Sequence, residues 1–199
     1  TLIISTIIST FAFANLFFSE YAEGSANNKY VEIFNGGTET VDLTDYNYAM
    51  VSNGPATAGL HEAWRDFAAG ATLSPGEVYV VCHSSSDATI LDLCDETYGS
   101  LSNGDDGICL VKGTEPTTLE DVANLDILDC IGDIYNPLYV DPGAAFDVCG
   151  DGDTKDNTIV RKSDVTQGSL WSVSSNEATC EWEVYPSNEW THLGSHTCD

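Results

Sequence analysis

The sequence predicts an all-β antiparallel sandwich or barrel, and three observations carry that prediction. From residue 15 onward, short runs rich in Val, Ile, Tyr and Phe alternate with Gly, Asn, Asp, Ser and Pro clusters. Residues 30–34 alternate Val31 and Ile33 against Glu32 and Phe34, the period-2 pattern of a half-buried strand. Helical periodicity is nearly absent, with one short piece at 87–93. A chain of 199 residues with 42% hydrophobic content is large enough for one full core.

The elements follow in order. Residues 16–21 and 30–34 form a first strand pair across the turn EGSANN, and NGG at 35–37 ends it. Residues 41–43 and 46–51 follow, stopped by SNGP at 52–55. The turn ATLSPG feeds the most hydrophobic strand, 77–82. Four further strands are expected at 108–112, 126–132, 158–162 and 181–185. No linker, repeat or low-complexity tract divides residues 15–199, which read as one domain.

Charge narrows the function. Thirty-two acidic residues against six basic ones leave a net charge of -26. Nucleic acids and anionic membranes are repelled by such a field, since their binding needs Lys and Arg. Residues 1–14 read as an N-terminally incomplete signal peptide: an uncharged apolar run that ends in AFA, with cleavage after Ala14. The run is too short to span a bilayer, and the competing reading is a buried first strand. Seven cysteines point to an oxidising, extracellular setting. Cys82 and Cys94 are the first expected pair. Cys109 and Cys130 form either a second bond or two buried thiols, and Cys149, Cys180 and Cys198 share one bond and one leftover thiol.

Six ordered pieces carry a resemblance to a known family. They are SEYAEGSANNKYVEIFN at 19–35, LSPGEVYVV at 73–81, NGDD at 103–106 with ICLV after it, DCIG at 129–132, DNTIVRK at 156–162 and LGSH at 193–196. Together they resemble the secreted type of lamin tail domain. The resemblance implies an immunoglobulin-like antiparallel β-sandwich that is not itself an enzyme. It further implies a binding or architectural module, often appended to extracellular nucleases, phosphatases or other surface enzymes. It also implies a structural hydrogen bond for His196.

Few constellations carry chemistry. Glu20 and Glu32 lie on adjacent runs and can face each other, either as an acid–base or cation-holding pair or as acceptors that fix the sandwich edge. Asp151, Asp153 and Asp156 have the alternating oxygen spacing of calcium loops, which makes Ca2+ the one cofactor with named ligands. The spacing departs from the EF-hand, since Asp156 and Lys162 stand where Gly and Glu are needed. An ordinary acidic turn is the alternative there, and likewise for Asp105 and Asp106. His61, His83, His192 and His196 form no zinc motif, and no nucleophile elbow or phosphate loop is present. Trp64, in a polar stretch, is expected to be an exposed ring, and Trp182 a core residue.

These readings converge on a secreted, non-catalytic binding or structural module. Its expected partners are an extracellular protein, a glycan or further copies of itself. The alternative is an accessory domain of an extracellular nuclease or other hydrolase. The charge makes a testable demand. Thermal midpoints should rise with NaCl as the Debye length falls from ~30 Å at 0.01 M to ~8 Å at 0.15 M. A few millimolar calcium at matched ionic strength should raise them further, and D151N/D153N should remove that extra part, if the acidic loop holds the ion.

Overall fold

The computed structural model describes residues 15–101, 103–138 and 143–199. The leader expected at 1–14 lies outside the described residues. The described chain opens with β1 (Leu16–Glu23), β2 (Lys29–Asn35), β3 (Val41–Asp42), β4 (Tyr46–Val51) and β5 (Ala63–Asp66). Next come β6 (Thr72–Leu73), β7 (Val78–Cys82), helix α1 (Ala88–Leu91) and β8 (Glu96–Thr97). Then follow β9 (Gly107–Lys112), helix α2 (Leu119–Val122), β10 (Asp126–Ile131), β11 (Asp147–Val148) and β12 (Gly152–Asp153). The last are β13 (Asn157–Arg161), helix α3 (Trp171–Ser174) and β14 (Trp182–Pro186).

Two of the sheets face each other as an immunoglobulin-like sandwich. One has six strands in the order β14-β13-β1-β2-β7-β8, and the other four in the order β10-β9-β4-β5. Pairing is antiparallel in both except between β7 and β8. Leu16, Phe18, Tyr21, Val31 and Ile33 of the first sheet pack against Tyr48, Met50, Ile108, Leu110 and Ile131 of the second. Trp182 is buried in this core, as its alternation with Glu181 and Glu183 predicts. Trp64 is not the exposed ring its polar neighbours suggested. It sits half-buried on edge strand β5, packed against the core, with its ring 5.3 Å from that of His61.

The β1–β2 pair departs from the half-buried pattern in an informative way. All eight residues of β1 and all seven of β2 are buried. A second cluster of Ala22, Tyr30, Val80, Cys82, Ile90 and Leu193 lies on the outer face, so this sheet is covered on both sides. Helix α1 supplies part of the cover, and residues 189–199, which form no regular element, supply the rest.

Disulfides fasten loops and strands. Cys109 and Cys130 are direct partners on β9 and β10 and are bonded, which settles the alternative of two buried thiols. Cys82–Cys94 ties β7 to the end of α1, and Cys149–Cys180 joins the β11 turn to the segment before β14. Cys198 carries the free thiol.

Two polar contacts join the sheets. Glu96 on β8 accepts from Tyr48 of the four-stranded sheet and Tyr79 of the six-stranded one, both at 3.1 Å. At the other end, β1 bulges between Phe18 and Glu20, and its pairing with β13 stops at Glu20, short of Phe18. Asp129 of β10 accepts the Phe18 N–H at 2.8 Å, and Arg161 of β13 donates to the Phe18 carbonyl at 3.1 Å. The Arg161 guanidinium also contacts Asp129 directly, reaches Glu181 at 2.6 Å and lies 3.9 Å over the Trp182 ring. Asp129 and Arg161 are 0% and 2% exposed. Removing one partner of such a pair leaves an uncompensated buried charge. Asp129→Ala should therefore cost about 3–5 kcal/mol in urea unfolding, whereas a loss under about 1 kcal/mol would place the contact among ordinary surface pairs.

Candidate functional site

The β1–β2 register sets Glu20 directly opposite Glu32 on the outer face of the six-stranded sheet. Side chains so placed are about 5 Å apart at Cβ, close enough for two carboxylates to interact strongly. Both are sealed from solvent, at 1% and 0% exposure. Glu32 accepts from Ser19 Oγ at 2.7 Å and from the Gly194 N–H at 2.6 Å. Glu20 Oε1 accepts from the Tyr30 hydroxyl at 2.5 Å, whereas its Oε2 meets no hydrogen-bond partner among the described residues.

Burial dominates the ionisation of this pair. The Glu20 carboxyl is pushed up to about 8, first by desolvation and further by the charges of Glu32 and Glu189, against the Tyr30 hydrogen bond. Glu32 is also raised by burial, and the bonds from Ser19 and Gly194 oppose that rise. Protonation of Glu20 removes the charge from a carboxyl whose Oε2 has no hydrogen-bond partner among the described residues.

Beside the pair, a polar cleft of about 310 Å³ opens between β13–β14 and the covering segment. Lys162, Ser163, Glu183, Thr191, His192 and His196 are among its lining residues. His196 packs edge-on against Phe34 and Phe17, at 4.9 and 5.9 Å between ring centres. Burial and the nearby Arg161 push its pKa down to about 4, so the imidazole is neutral at pH 7. Its Nε2 has no hydrogen-bond partner among the described residues, so ring packing, rather than the structural hydrogen bond the resemblance implied, holds it. His192 stacks on Tyr185 at 4.8 Å. Ser163 donates to Asp199 at 2.7 Å, so the cleft shows no hydroxyl paired with a histidine base.

The acidic loop is differently arranged from a cation cage. Asp153 accepts the Lys155 N–H at 2.9 Å and lies within 3.4 Å of the Asn157 amide, as turn aspartates do. Asp151 donates its N–H to the Val148 carbonyl, and Asp156 sits at φ 52° with its N–H on Glu23. Among the described residues no group of three or more His, Cys, Asp or Glu side chains is placed to hold a metal ion, and these three are not drawn together. Asp106 closes its own turn by accepting the Asn103 N–H at 2.6 Å. His61 lies 3.1 Å from Glu115, away from the other histidines' surroundings.

Arg161 and Asp129, which meet in the interior, are not singled out by motif or spacing, although both lie within pieces that carry the family resemblance. The available signal was a charged residue in an apolar strand run, Asp129 beside Leu128 and Cys130, and Arg161 after Ile159 and Val160.

Comparison with known proteins adds the following. The sequence profile described as Lamin Tail Domain matches residues 9–126. No curated protein matches the chain. A solved structure of a DUF4876 family protein from Bacteroides thetaiotaomicron is 14% identical, with a TM-score of 0.48. That alignment covers 92% of this chain and 74% of the other.

The carboxylate pair has a signed consequence for stability. The folded chain keeps a proton on Glu20 that the unfolded chain releases near its ordinary 4.5, so stability falls as pH rises from there to about 8. His196 works in the opposite direction only below its ordinary 6.5. The unfolding free energy from urea titration should therefore drop between pH 6.5 and 8, by up to about 1.4 kcal/mol per pH unit, and Glu20→Gln should flatten the drop. An unaltered slope in the variant would remove Glu20 as its source.

Proposed function

As the chain belongs to the lamin tail domain family, a family of non-catalytic immunoglobulin-like modules, we propose that it serves outside the cell as a binding or structural module. One observation carries the proposal: the acid–base pair the sequence offers, Glu20 and Glu32, is turned to the protein's own Tyr30, Ser19 and Gly194 and shielded from any substrate. A catalytic acid or base must reach its substrate within hydrogen-bond distance. Three disulfides support an oxidising compartment. Among the described residues, no helix is long and apolar enough to cross a membrane.

The exterior that such a module presents is close to one sign. Lys29 is held by Glu23 at 3.2 Å, Arg161 by Asp129 and Glu181, and Lys162 by the Cys180 carbonyl at 2.8 Å. Arg65 and Lys112 lie over the rings of Tyr98 and Tyr46, at 4.4 and 4.9 Å. Five of the six cations are thus engaged by the chain's own groups, while the acids seen paired with a basic side chain among the described residues are Glu23, Glu115, Asp129 and Glu181, out of 32 acids in the sequence. The extracellular protein, glycan or second copy that it meets is then recognised through basic groups or through bridging divalent cations.

Two assays test this reading on the whole chain. Chromogenic ester, phosphodiester and glycoside substrates should show no turnover, and immobilised duplex DNA no retention. A basic protein ligand such as poly-lysine should retain the chain at low salt and release it by about 0.5 M NaCl. Turnover that is abolished by Glu20→Gln or Glu32→Gln would overturn the proposal in favour of a hydrolase.

A further inference from the structure

Residues 189–199 cross the outer face of β1 and β2 as a strap with few polar attachments. Trp190 and Leu193 pack on the apolar cluster around Ala22, Tyr30 and Val80. His196 packs on Phe17 and Phe34. Among the described residues, one hydrogen bond runs from the middle of the strap to the sheet, from the Gly194 N–H to Glu32. The two ends are better tied. Asn188 accepts from Ser25 at 2.9 Å before the strap begins, and the Asp199 N–H reaches the Ser163 carbonyl at 2.8 Å. Cys198 Sγ lies 3.2 Å from the Val165 carbonyl.

Along this arch three polar atoms are buried without a hydrogen-bond partner among the described residues, Glu20 Oε2, Trp190 Nε1 and His196 Nε2. We propose that the strap is a hinged cover whose opening is coupled to the charge on the Glu20–Glu32 pair: closed while one carboxylate is protonated, released when both are ionised. Two adjacent buried carboxylates repel and need water. The sheet cannot yield, because β1 and β2 are held by ladders on both sides, with β13 and β7 as outer neighbours. The strap can yield, since its centre gives up one hydrogen bond and some apolar contact. Opening uncovers Phe17, Tyr30 and Phe34.

The groups that face Glu20 and Glu32 favour this coupling. Tyr30 on β2, Glu189 on the strap and Asp95 before β8 are acids or a phenol that add no compensating charge. Tyr185 of β14 feels Glu20 but bonds to Glu183. Arg161 of β13 is already matched by Asp129 and Glu181, and His196 and His192 on the strap are turned to aromatic rings. The raised carboxyl of Glu20 places the transition below about pH 8.

Amide hydrogen exchange on the full chain tests the cover, with intrinsic rates divided out. Protection of the Gly194 amide should fall by up to tenfold per pH unit from pH 6 toward about 8 and level off above it. Low urea should leave Gly194 exchange unchanged but speed that of the central-strand Val31 amide, as local and global opening do respectively. Glu20→Gln should keep Gly194 protected through that range. The proposal is overturned by a pH-independent Gly194 protection, by Gly194 exchanging with the same protection and urea response as Val31, or by an unchanged pH slope in the variant. If the variant does not fold, the comparison of Gly194 with Val31 in the unaltered chain decides the matter.

Discussion

Asp129 and Arg161 meet in the interior where β1 bulges, and four strands take their positions from that contact. Asp129 brings β10 of the smaller sheet, Arg161 brings β13, and through Glu181 and Trp182 the same guanidinium holds the start of β14. Between them they satisfy the Phe18 N–H and carbonyl, which lie beyond the end of the β1–β13 ladder. The remaining Asp129 oxygen accepts the Ser169 N–H at 3.2 Å, anchoring the segment that runs along the β10 edge. A buried pair of this kind owes its place to geometry more than to net energy. Desolvation of two charges offsets much of their attraction, and the bonds to backbone decide which arrangement of strands leaves nothing unpaired.

The bulge has a second consequence on the opposite face. The register set by the hairpin turn runs unbroken to the Glu20–Glu32 pair, and the extra residue beside it, Ser19, donates to the Glu32 carboxylate. Two carboxylates on adjacent strands would be unremarkable on a solvated face. Here the strap and helix α1 cover that face, and burial raises both carboxyls above their ordinary range. The sealed pair, the neutral His196 and the lightly bonded strap are therefore parts of one packing arrangement on the outer face of β1 and β2.

Outside this interior the molecule relies on covalent ties and aromatic packing. The six cations are too few to balance the surface, and five of them are held within the chain. Three disulfides restrict the unfolded chain and fasten α1, β9–β10 and the β11 turn, work that surface ion pairs do in less acidic proteins. Edge strands β5 and β14 carry Asp66 and Glu183, and charges at edges discourage strand addition by another copy of the same sign.

The sequence by itself determined the strands with a strong period or a strong punctuating turn. β1, β2, β4, β7, β9, β10, β13 and β14 all coincide with runs of β-branched and aromatic residues bounded by Gly, Asn or Pro. The facing of Glu20 and Glu32 was legible too, because a hairpin fixes its own register. β3 falls within the expected run 41–43, whereas the two-residue strands β6, β8, β11 and β12 are a different matter, since pairs that short carry little local signal. β5 was hidden because His61, Glu62, Arg65 and Asp66 make its surroundings look like a loop, and only pairing with β4 extends it. The oxygen spacing of Asp151, Asp153 and Asp156 was visible, but spacing along a loop does not decide which way carboxylates point. Above all, a period-2 strand announces one buried face, and nothing local says that residues some 160 positions later will bury the other, as the Gly194 bond to Glu32 does. Local pattern depends on neighbours in the chain, whereas the burial that sets the ionisation of Glu20 depends on neighbours in space. That part only the tertiary structure decided.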